Sequence, residues 1–311
     1  MDAQARSWFE ACTSDAADWP LDGLLAGKGD QRVAVVIPAR DEQPTIGTIV
    51  SVIRRALMDD AALVDELVVL DSRSTDDTAA VAAAAGAQVY AVDDIRPDLG
   101  CHAGKGEAIW KSQFVTTADI VVLIDGDLTQ WGPHFVTGLL GPVFADENVL
   151  LCKGFYDRSF ADASGVSGTA GGRVTELVAR PMINISWPEL AAVVQPLGGE
   201  WAMRSSLLRS LRIPVGYGVE FGTLVDTWAL HGLGSIAQVD LGSRGHSHQG
   251  MPELGAMAAE IMQVAGHRLG LSTRSSGAIA QFDRDVPGHW VDRPVPSVER
   301  EPAQIHLQSV G

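Results

Sequence analysis

Four short apolar segments in the first half of the chain alternate with segments of helical pattern, and this alternation limits the fold more than any other feature. The apolar segments are VAVVIP (33–38), DELVVLD (65–71), AQVYAV (87–92) and IVVLI (120–124). Helices are predicted between them, over 44–58, 75–85 and about 105–116. Strands and helices that alternate at this spacing predict a mostly parallel α/β sheet, covered by helices on both faces and joined by right-handed crossovers.

The chain is predicted to contain four regions. They are a helical lead-in (1–30), the alternating region (31–150), a mixed α/β region (151–271) and a tail (272–311). The elements predicted in the mixed region are strands near 148–156 and over 235–242 and helices over 173–180, 219–231 and 252–270. The tail is rich in Ser, Pro, Arg and Asp without periodicity, so we expect it to be disordered or to wrap the body.

Composition and charge exclude several classes of protein. A formal net charge of −16 disfavours nucleic acid or an anionic membrane as the main partner. Three cysteines, Cys12, Cys101 and Cys152, lack metal-ligand spacing, and their odd number predicts a reduced protein without disulfides. No signal-peptide pattern is present, and no apolar segment approaches the ~20 residues of a membrane span. We therefore predict a cytoplasmic protein that binds neither membrane nor nucleic acid.

The last of the four apolar segments leads directly into Asp125-Gly126-Asp127. Because open α/β sheets bind ligands at the carboxyl ends of their strands, both carboxylates are expected in a binding cleft. Such a pair can hold a divalent metal against a diphosphate, although a solvated turn is the alternative. Asp283-Arg284-Asp285 has the same spacing in the polar tail with no strand before it, so spacing alone carries little weight.

Three further loops follow predicted strands. In PARDE (38–42), Pro38 is expected to stop strand pairing as the chain turns into the cleft. The alternative without a binding role is a strand-to-helix turn with Asp41 or Glu42 near a helix N-terminus. DSRSTDDT (71–78) can cap the next helix whatever else it does. GKGE (104–107) places a lysine between two glycines at a helix start, where the backbone can approach an anion; a plain loop is the alternative.

With these four loops in order, the chain resembles the nucleotide-sugar glycosyltransferases of the GT-A fold. Within them it is similar to the glucosyl-3-phosphoglycerate synthase family and its mannosyl relatives. The resemblance covers roughly residues 33 to 270, and its later part includes GGRVTELVARP (171–181), QPLGGE (195–200), GYGVEFG (216–222), Arg244 and His246. It implies a GT-A type Rossmann-like, mostly parallel sheet flanked by helices, with the second half binding the acceptor.

The resemblance also implies a role for each matched position. The positions implied to bind the donor are Pro38, Ala39, Arg40, Glu42, Ser72, Lys105, Asp125 and Gly126. Asp127 and His246 are implied to bind Mg²⁺ or Mn²⁺, and this agrees with the preference of hard cations for carboxylate and phosphate oxygens. Glu220 and Asp125 are implied to act in catalysis, with Glu220 near the transferred sugar and Asp125 on the ribose side of the donor.

The acceptor site is implied to lie at the start of a helix. Its residues are Gly172, Arg173, Thr175 and His248, with Gly171 beside them. Backbone N–H groups, a hydroxyl and a guanidinium together suit a phosphate or carboxylate. Alternatively, the glycines only permit a sharp turn, with Arg173 paired to Glu176 on the surface.

Several positions depart from the pattern of the family. The family usually has Asn at Asp41, a small residue at Arg73, Ser at Gly126 and Gly198, and Asn at His248. The changes at Gly198 and His248 fall where the sugar or the acceptor is expected, so they bear on the identity of both substrates. None of the departures removes an implied metal or diphosphate contact.

The function implied by the resemblance is metal-dependent transfer of glucose from UDP-glucose to 3-phosphoglycerate, with retention of configuration, by a homodimer. One alternative is a related transferase that uses another nucleotide hexose, such as GDP-mannose, or another small anionic acceptor. A nucleotidyltransferase would normally carry a glycine-rich loop where this chain has PARDE. A protein that binds a nucleotide sugar without turnover is the non-enzyme alternative.

Overall fold

One large sheet organises the fold of the computed structural model, which describes residues 3–161, 167–169, 172–244, 251–271, 278–286 and 288–307. In chain order the strands are β1 (Thr13–Asp15), β2 (Val33–Ala39), β3 (Glu66–Asp71), β4 (Gln88–Ala91), β5 (Ile120–Leu123), β6 (Leu151–Ala161), β7 (Ser167–Thr169), β8 (Trp201–Arg204), β9 (Ile213–Pro214), β10 (Ile236–Arg244), β11 (Ala278–Val286), β12 (His289–Pro296) and β13 (Glu299–Arg300).

The large sheet has the strand order β1-β10-β6-β8-β5-β2-β3-β4, and β7 pairs antiparallel with the end of β6. Along this order every neighbouring pair is parallel except the two made by β8, which runs antiparallel to β5 and β6. The predicted fold class, a mostly parallel α/β sheet, is confirmed. The strand β8 was not predicted, because it is only four residues long and so short a segment shows no clear periodicity.

Helices cover both faces of this sheet. They are α1 (Ala3–Cys12), α2 (Leu21–Lys28), α3 (Gln43–Ile53), α4 (Thr78–Ala85), α5 (Lys105–Ser112), α6 (His134–Ala145), α7 (Arg180–Ser186), α8 (Ser205–Ser210), α9 (Val219–His231), α10 (Met251–Arg268) and α11 (Gln304–Leu307). A π-helical segment, Arg54–Asp59, extends α3, and another, Thr175–Ala179, leads into α7. The helices predicted in both halves of the chain are therefore confirmed, with shifts at their ends.

The unbroken apolar pattern of the central strands follows from burial on both faces. In β2, Ala34 and Val36 belong to one hydrophobic core, whereas Val33, Val35 and Ile37 belong to the other. A strand packed in this way has no polar face, which is why its sequence does not alternate. The cores fix the strands firmly, so the loops at their carboxyl ends start from rigid positions.

Pro38 does not end its strand, contrary to the prediction. It pairs with Leu70 of β3, and β2 continues to Ala39. On the other side, β5 pairs with β2 only as far as Val36. Pro38 therefore occupies a position where no ladder partner requires the N–H group that proline lacks.

The lead-in and the tail are both tied to the body. The predicted helical lead-in contains α1 and α2, but its β1 also pairs with β10 at the edge of the sheet. The tail wraps the body over its described part: β11 and β12 form an antiparallel hairpin, and β13 pairs with β9. Asp283-Arg284-Asp285 lies within β11, so the expectation of no strand there was wrong.

Two simpler expectations concern the cysteines and membrane spans. Cys12, Cys101 and Cys152 are all free thiols, as predicted. Within the part of the chain that the structure describes, no helix is both long enough and apolar enough to cross a membrane.

Candidate active site

Loops from three neighbouring strands meet at the carboxyl edge of the sheet. Ser72 follows β3 and donates its backbone N–H to the Ala39 carbonyl at the end of β2, over 2.8 Å. Thr45, in the first turn of α3, donates its hydroxyl to the Gly126 carbonyl after β5, over 2.6 Å. The structure thus brings together the loops that sequence motifs assigned to the donor.

Lys105 joins the two residues that were predicted to be catalytic. Its Nζ atom lies 2.5 Å from Asp125 Oδ1 and 2.8 Å from Glu220 Oε1. The Glu220 side chain is only 8% exposed, although it lies in the first turn of α9. Because Asp125 follows β5 in the first half of the chain and Glu220 lies in α9 of the second half, the ammonium group bridges the two halves.

Arg244, at the end of β10, is a second cation in the same network. Its guanidinium lies 3.0 Å from Asp125 Oδ2, 2.8 Å from Asp127 Oδ1 and 3.1 Å from Glu200 Oε1. It also donates to the Tyr156 hydroxyl over 2.5 Å. We name Lys105, Arg244, Asp125, Asp127, Glu200 and Glu220 the charged network.

Arg244 and Glu200 received no role in the sequence analysis. Both stand in segments that resemble the family, and both are buried. Two acids at one strand end favour a nearby cation, but this signal does not identify which Lys or Arg supplies it. For Glu200 the only signal was its place at the end of QPLGGE.

Burial and charge act in opposite directions on these groups. Burial opposes ionisation of Asp125, but the positive charges of Lys105 and Arg244 outweigh it and lower the pKa of Asp125. Burial likewise disfavours a charged Lys105, yet Asp125 and Glu220 raise its pKa. For Glu200 burial prevails over the attraction of Arg244, and the pKa rises to about 7.

Glu42 adds a further acid beside the Asp125-Gly126-Asp127 turn. Burial, followed by the negative charges of Asp127 and Asp125, raises the pKa of Glu42 to about 7. Its backbone N–H donates to the Thr78 hydroxyl over 2.8 Å, which holds it at the start of α3. Carboxylates that repel one another in this way are an arrangement that a divalent cation would stabilise.

The described side chains supply only part of what a bound metal ion needs. They contain no group of three or more His, Cys, Asp or Glu side chains placed to hold an ion among themselves. Asp127 uses one oxygen for Arg244, and its side chain is 29% exposed. A hard divalent ion that takes most of its ligands from a phosphate substrate fits one such carboxylate. The second predicted metal ligand, His246, lies outside the described residues.

A buried lysine holds the segment that carries Glu200. Lys153 donates to the Gly198 carbonyl over 2.7 Å, and burial lowers the pKa of Lys153 to about 8. A Cβ atom on Gly199 would lie 2.5 Å from a carboxylate oxygen of Asp125 and 2.6 Å from Lys105 Nζ. The Gly-Gly pair of QPLGGE therefore allows the backbone to lie directly against the charged network.

The two glycines that flank Lys105 allow two segments of the chain to lie close together. A Cβ atom on Gly106 would lie 1.8 Å from the Pro214 carbonyl oxygen, and one on Gly104 would lie 2.3 Å from the Val215 carbonyl oxygen. These glycines let the start of α5 approach β9 and the residue after it. The expected anion partner of Lys105 is supplied by the two carboxylates.

At two of the positions where this chain departs from the family, the backbone explains the residues that the family usually has. Asp41 has φ of 57° and Arg73 has φ of 64°, in the left-handed region that favours Gly and Asn. The Asp41 carboxylate accepts the Thr75 backbone N–H over 2.6 Å, so it stabilises the neighbouring loop. Arg73 pairs with Asp93 over 2.8 Å, away from the charged network. Arg40, predicted to bind the donor, has a side chain that is 64% exposed.

The implied acceptor residues are in different environments. Gly172 accepts the Glu176 backbone N–H over 3.0 Å, so a helical turn begins there as predicted. Arg173 is exposed, whereas Thr175 is buried. Glu176 pairs with Arg180 over 3.1 Å. Gly171 and His248 lie outside the described residues.

The fold and the site together define a glycosyltransferase of the GT-A class. The Glycosyl transferase family 2 model matches residues 34–180, which include β2 to β5 and their loops. The chain is 44% identical to the glucosyl-3-phosphoglycerate synthase of Mycolicibacterium paratuberculosis, over 90% of this chain and 85% of that protein. It is 41% identical to that of Petrotoga mobilis, over 79% of this chain and 75% of that protein. The chain belongs to the glucosyl-3-phosphoglycerate synthase family, as the sequence motifs predicted.

Solved structures of a family member agree. The Mycobacterium tuberculosis enzyme in complex with Mn²⁺, UDP-glucose and phosphoglyceric acid matches with a TM-score of 0.82 and 42% identity, over 93% of this chain and 95% of that one. The same enzyme with Mg²⁺ and UDP matches with a TM-score of 0.83 and 41% identity, over 95% and 99%. The predicted GT-A fold is therefore confirmed.

Proposed function

We propose that this protein transfers glucose from UDP-glucose to 3-phosphoglycerate, with Mg²⁺ or Mn²⁺ as its cofactor and with retention of configuration. The observation that carries the proposal is the charged network, in which Lys105 and Arg244 hold Asp125, Asp127 and Glu220 at the carboxyl edge of the sheet. Its relatives support the proposal, since the M. tuberculosis enzyme holds UDP-glucose, Mn²⁺ and phosphoglyceric acid.

The charges of the site explain why a metal is needed. Lys105 and Arg244 are already paired with Asp125, Asp127 and Glu220, so the paired groups leave no net positive charge for a diphosphate. An anionic donor would be repelled unless a cation came with it. When bound, a divalent ion neutralises the departing diphosphate. We assign Asp127 and His246 as the residues of this chain that would hold it.

The donor nucleotide is assigned to the ends of β2 and β3, with its ribose on the side of Asp125. These strand ends supply Pro38, Ala39 and Ser72, and Glu42 and Gly126 lie beside them. The Oδ1 atom of Asp71 is buried there without a hydrogen-bond partner among the described residues. A nucleotide N–H or O–H group would satisfy this acceptor, because buried polar atoms are normally paired.

Glu220 is assigned to the chemical step beside the sugar, with Asp125 opposite it. The ammonium of Lys105 keeps both carboxylates within 3 Å of one atom, so their positions are fixed before the donor binds. A pre-organised site of this kind does not have to reorganise during the reaction. The assignment makes Lys105 a link between donor binding and the catalytic acid.

Arg173 is assigned to the acceptor phosphate, and this assignment can be tested separately. Arg can hold a phosphate through two parallel hydrogen bonds, whereas Lys acts as a point charge. Arg173→Lys should raise the KM for 3-phosphoglycerate by about tenfold, equivalent to ~1.4 kcal/mol, with the KM for UDP-glucose unchanged. An unchanged acceptor KM would contradict the assignment.

The whole proposal is tested by a substrate matrix. Purified protein with Mg²⁺ or Mn²⁺ is incubated with UDP-glucose, GDP-glucose, GDP-mannose and other nucleotide sugars, each against 3-phosphoglycerate and other small acids, and products are identified by mass. We expect the most product from UDP-glucose with 3-phosphoglycerate. Product from a different pair alone would overturn the assignment of substrates, and no product from any pair would favour a binding protein without turnover.

We also propose that the protein acts as a homodimer in the cytoplasm, on the resemblance to its family and on its free cysteines. Light scattering after size-exclusion chromatography should give twice the mass of the chain. A monomeric mass at the concentrations used for activity would contradict the dimer.

A further inference from the structure

The C-terminal strap, residues 295–303, lies across elements that position the charged network. Its β13 pairs antiparallel with β9, and Val215 donates its backbone N–H to the Val298 carbonyl over 2.9 Å. Val295 and Ala303 are buried at its two ends. The strap thus packs against β9, and β9 is followed in sequence by the GYGVEFG segment that contains Glu220.

Arg300 of the strap reaches the first turn of α5. Its Nε atom lies 2.7 Å from one oxygen of Glu107, its Nη2 atom lies 2.5 Å from the other, and the Glu107 side chain is fully buried. The same guanidinium donates to the Leu99 and Gly100 carbonyls over 2.8 and 3.1 Å. Because Glu107 lies two residues after Lys105, this pair fixes the turn that carries the lysine.

Two more contacts close a ring of elements around that turn. Glu107 donates its backbone N–H to the Val215 carbonyl over 3.0 Å, and Gly106 packs against the Pro214 carbonyl. Trp110 of α5 donates its indole N–H to the Glu301 carbonyl over 2.8 Å, and the Arg300 guanidinium lies over its ring. The strap therefore holds α5, which begins at Lys105, and β9, which is followed by the loop and helix that carry Glu220.

We infer that Arg300 is a positioning residue for the donor site: through Glu107 it orients the start of α5 so that Lys105 reaches Asp125 and Glu220. The inference deepens the proposed function and rests on it. A side chain in the tail then contributes to donor affinity without touching the donor. A bidentate pair on a buried carboxylate can do this because it fixes orientation as well as distance.

The test is a double-mutant cycle on donor binding, measured by calorimetry with UDP-glucose and Mn²⁺. Arg300→Met should weaken binding by about tenfold, and Lys105→Ala should do so too. If Arg300 acts through Lys105, Arg300→Met should have less than a twofold effect in the Lys105→Ala background. Normal binding by Arg300→Met, or losses that simply multiply in the double variant, would overturn the inference.

The matched control is Arg212→Met. Arg212 pairs with Glu301 over 2.8 Å in the same part of the molecule, but both side chains are more than half exposed. An exposed pair contributes little, so this variant should bind the donor normally. Equal weakening by Arg212→Met would show that any disturbance of the strap suffices and would overturn the specific role of Arg300.

Further measurements separate this inference from general instability and from the proposed function. Kinetics should show a raised KM for UDP-glucose with an unchanged KM for 3-phosphoglycerate, which a merely destabilised enzyme would not show. If Arg300→Met does not fold, normal donor affinity in both Arg300→Lys and Glu107→Gln overturns the inference. If the wild-type protein binds no nucleotide sugar, the proposed function fails, but the positioning role can still be tested by amide hydrogen exchange. Faster exchange at residues 105–108 in Arg300→Met than in the wild type would support the positioning role. Unchanged exchange would overturn it.

Discussion

At the residue scale, Lys105 and Arg244 are the two cations around which the acids of the site are arranged. Sequence motifs singled out Lys105, Asp125, Asp127 and Glu220, and in the structure all four belong to the charged network. They did not show that Lys105 is paired with carboxylates, because those partners lie far apart in the chain. Pairing between distant segments leaves no local pattern, and Arg244 was missed as a partner for the same reason.

Glu220→Gln should lower kcat by about 100-fold or more and leave UDP-glucose binding nearly intact. The amide keeps the shape of the side chain but removes a charge that we assign to the transition state. Lys105 keeps Asp125 as a partner, so the positive charge near the donor is not lost. Steady-state kinetics together with calorimetry measure both quantities, and near-normal turnover would reduce Glu220 to a structural role.

Glu42 should make the metal-free protein less stable as pH rises from about 4.5 to 7. Its pKa is about 7 in the folded state against an ordinary value of 4.5, so over this window only the unfolded chain releases the proton. Below the window the carboxyl is protonated in both states and the penalty is absent. Thermal unfolding of the wild type and Glu42→Gln should diverge as pH rises to 7, with the variant becoming relatively more stable.

Added Mn²⁺ provides the matching control. A bound cation favours the ionised carboxylate, so it should reduce the difference between wild type and Glu42→Gln at pH 7. A difference that does not change with pH in metal-free protein would contradict the burial and repulsion described for Glu42.

At the element scale, the regular part of the sheet was the most predictable. The segments that became β2, β3 and β5 are buried on both faces, and their apolar residues form unbroken runs. The hairpin of β11 and β12 could not be read from its polar sequence, because its strands lack both an apolar run and an alternating pattern. The glycines of GKGE were recognised as close-approach residues, but the sequence could not show that β9 is what they approach.

Gly106→Ala should destabilise the fold through the contact between α5 and β9. The added methyl group would overlap the Pro214 carbonyl oxygen, so the two elements must move apart. Overpacking of this kind costs about 1–3 kcal/mol, which corresponds to a fall of several degrees in Tm. Donor affinity should fall as well, since Lys105 is the preceding residue.

Gly234→Ala is the control for this substitution. A Cβ atom at Gly234 would have no neighbour within 4 Å, and its φ lies outside the left-handed region. Its Tm should stay within about a degree of the wild type. Equal Tm values for both variants would show that the close approach at Gly106 has no energetic consequence.

At the scale of the whole molecule, one continuous sheet takes strands from both halves of the chain, and the strap pairs with β9 in a separate two-stranded sheet. Strands from the alternating region and from the mixed region are neighbours in the large sheet, since β8 lies between β5 and β6. The predicted boundary at 150 therefore does not separate two sheets. Because the paired charges of the site leave no net positive charge, we propose that an anionic donor binds only together with a cation. Metal dependence is therefore the central claim of the proposed function.

The most direct measurement is the rate of glucosyl-3-phosphoglycerate formation, followed by mass spectrometry, for wild type and Asp127→Asn across a Mn²⁺ titration. Asp127→Asn keeps the volume of the side chain and removes the charge that we assign to the metal. We predict product from the wild type only with Mn²⁺ or Mg²⁺, no product with a chelator, and a rate at least about 100-fold lower for the variant at saturating metal. Equal rates with and without metal, or a normal rate for Asp127→Asn, would contradict the account.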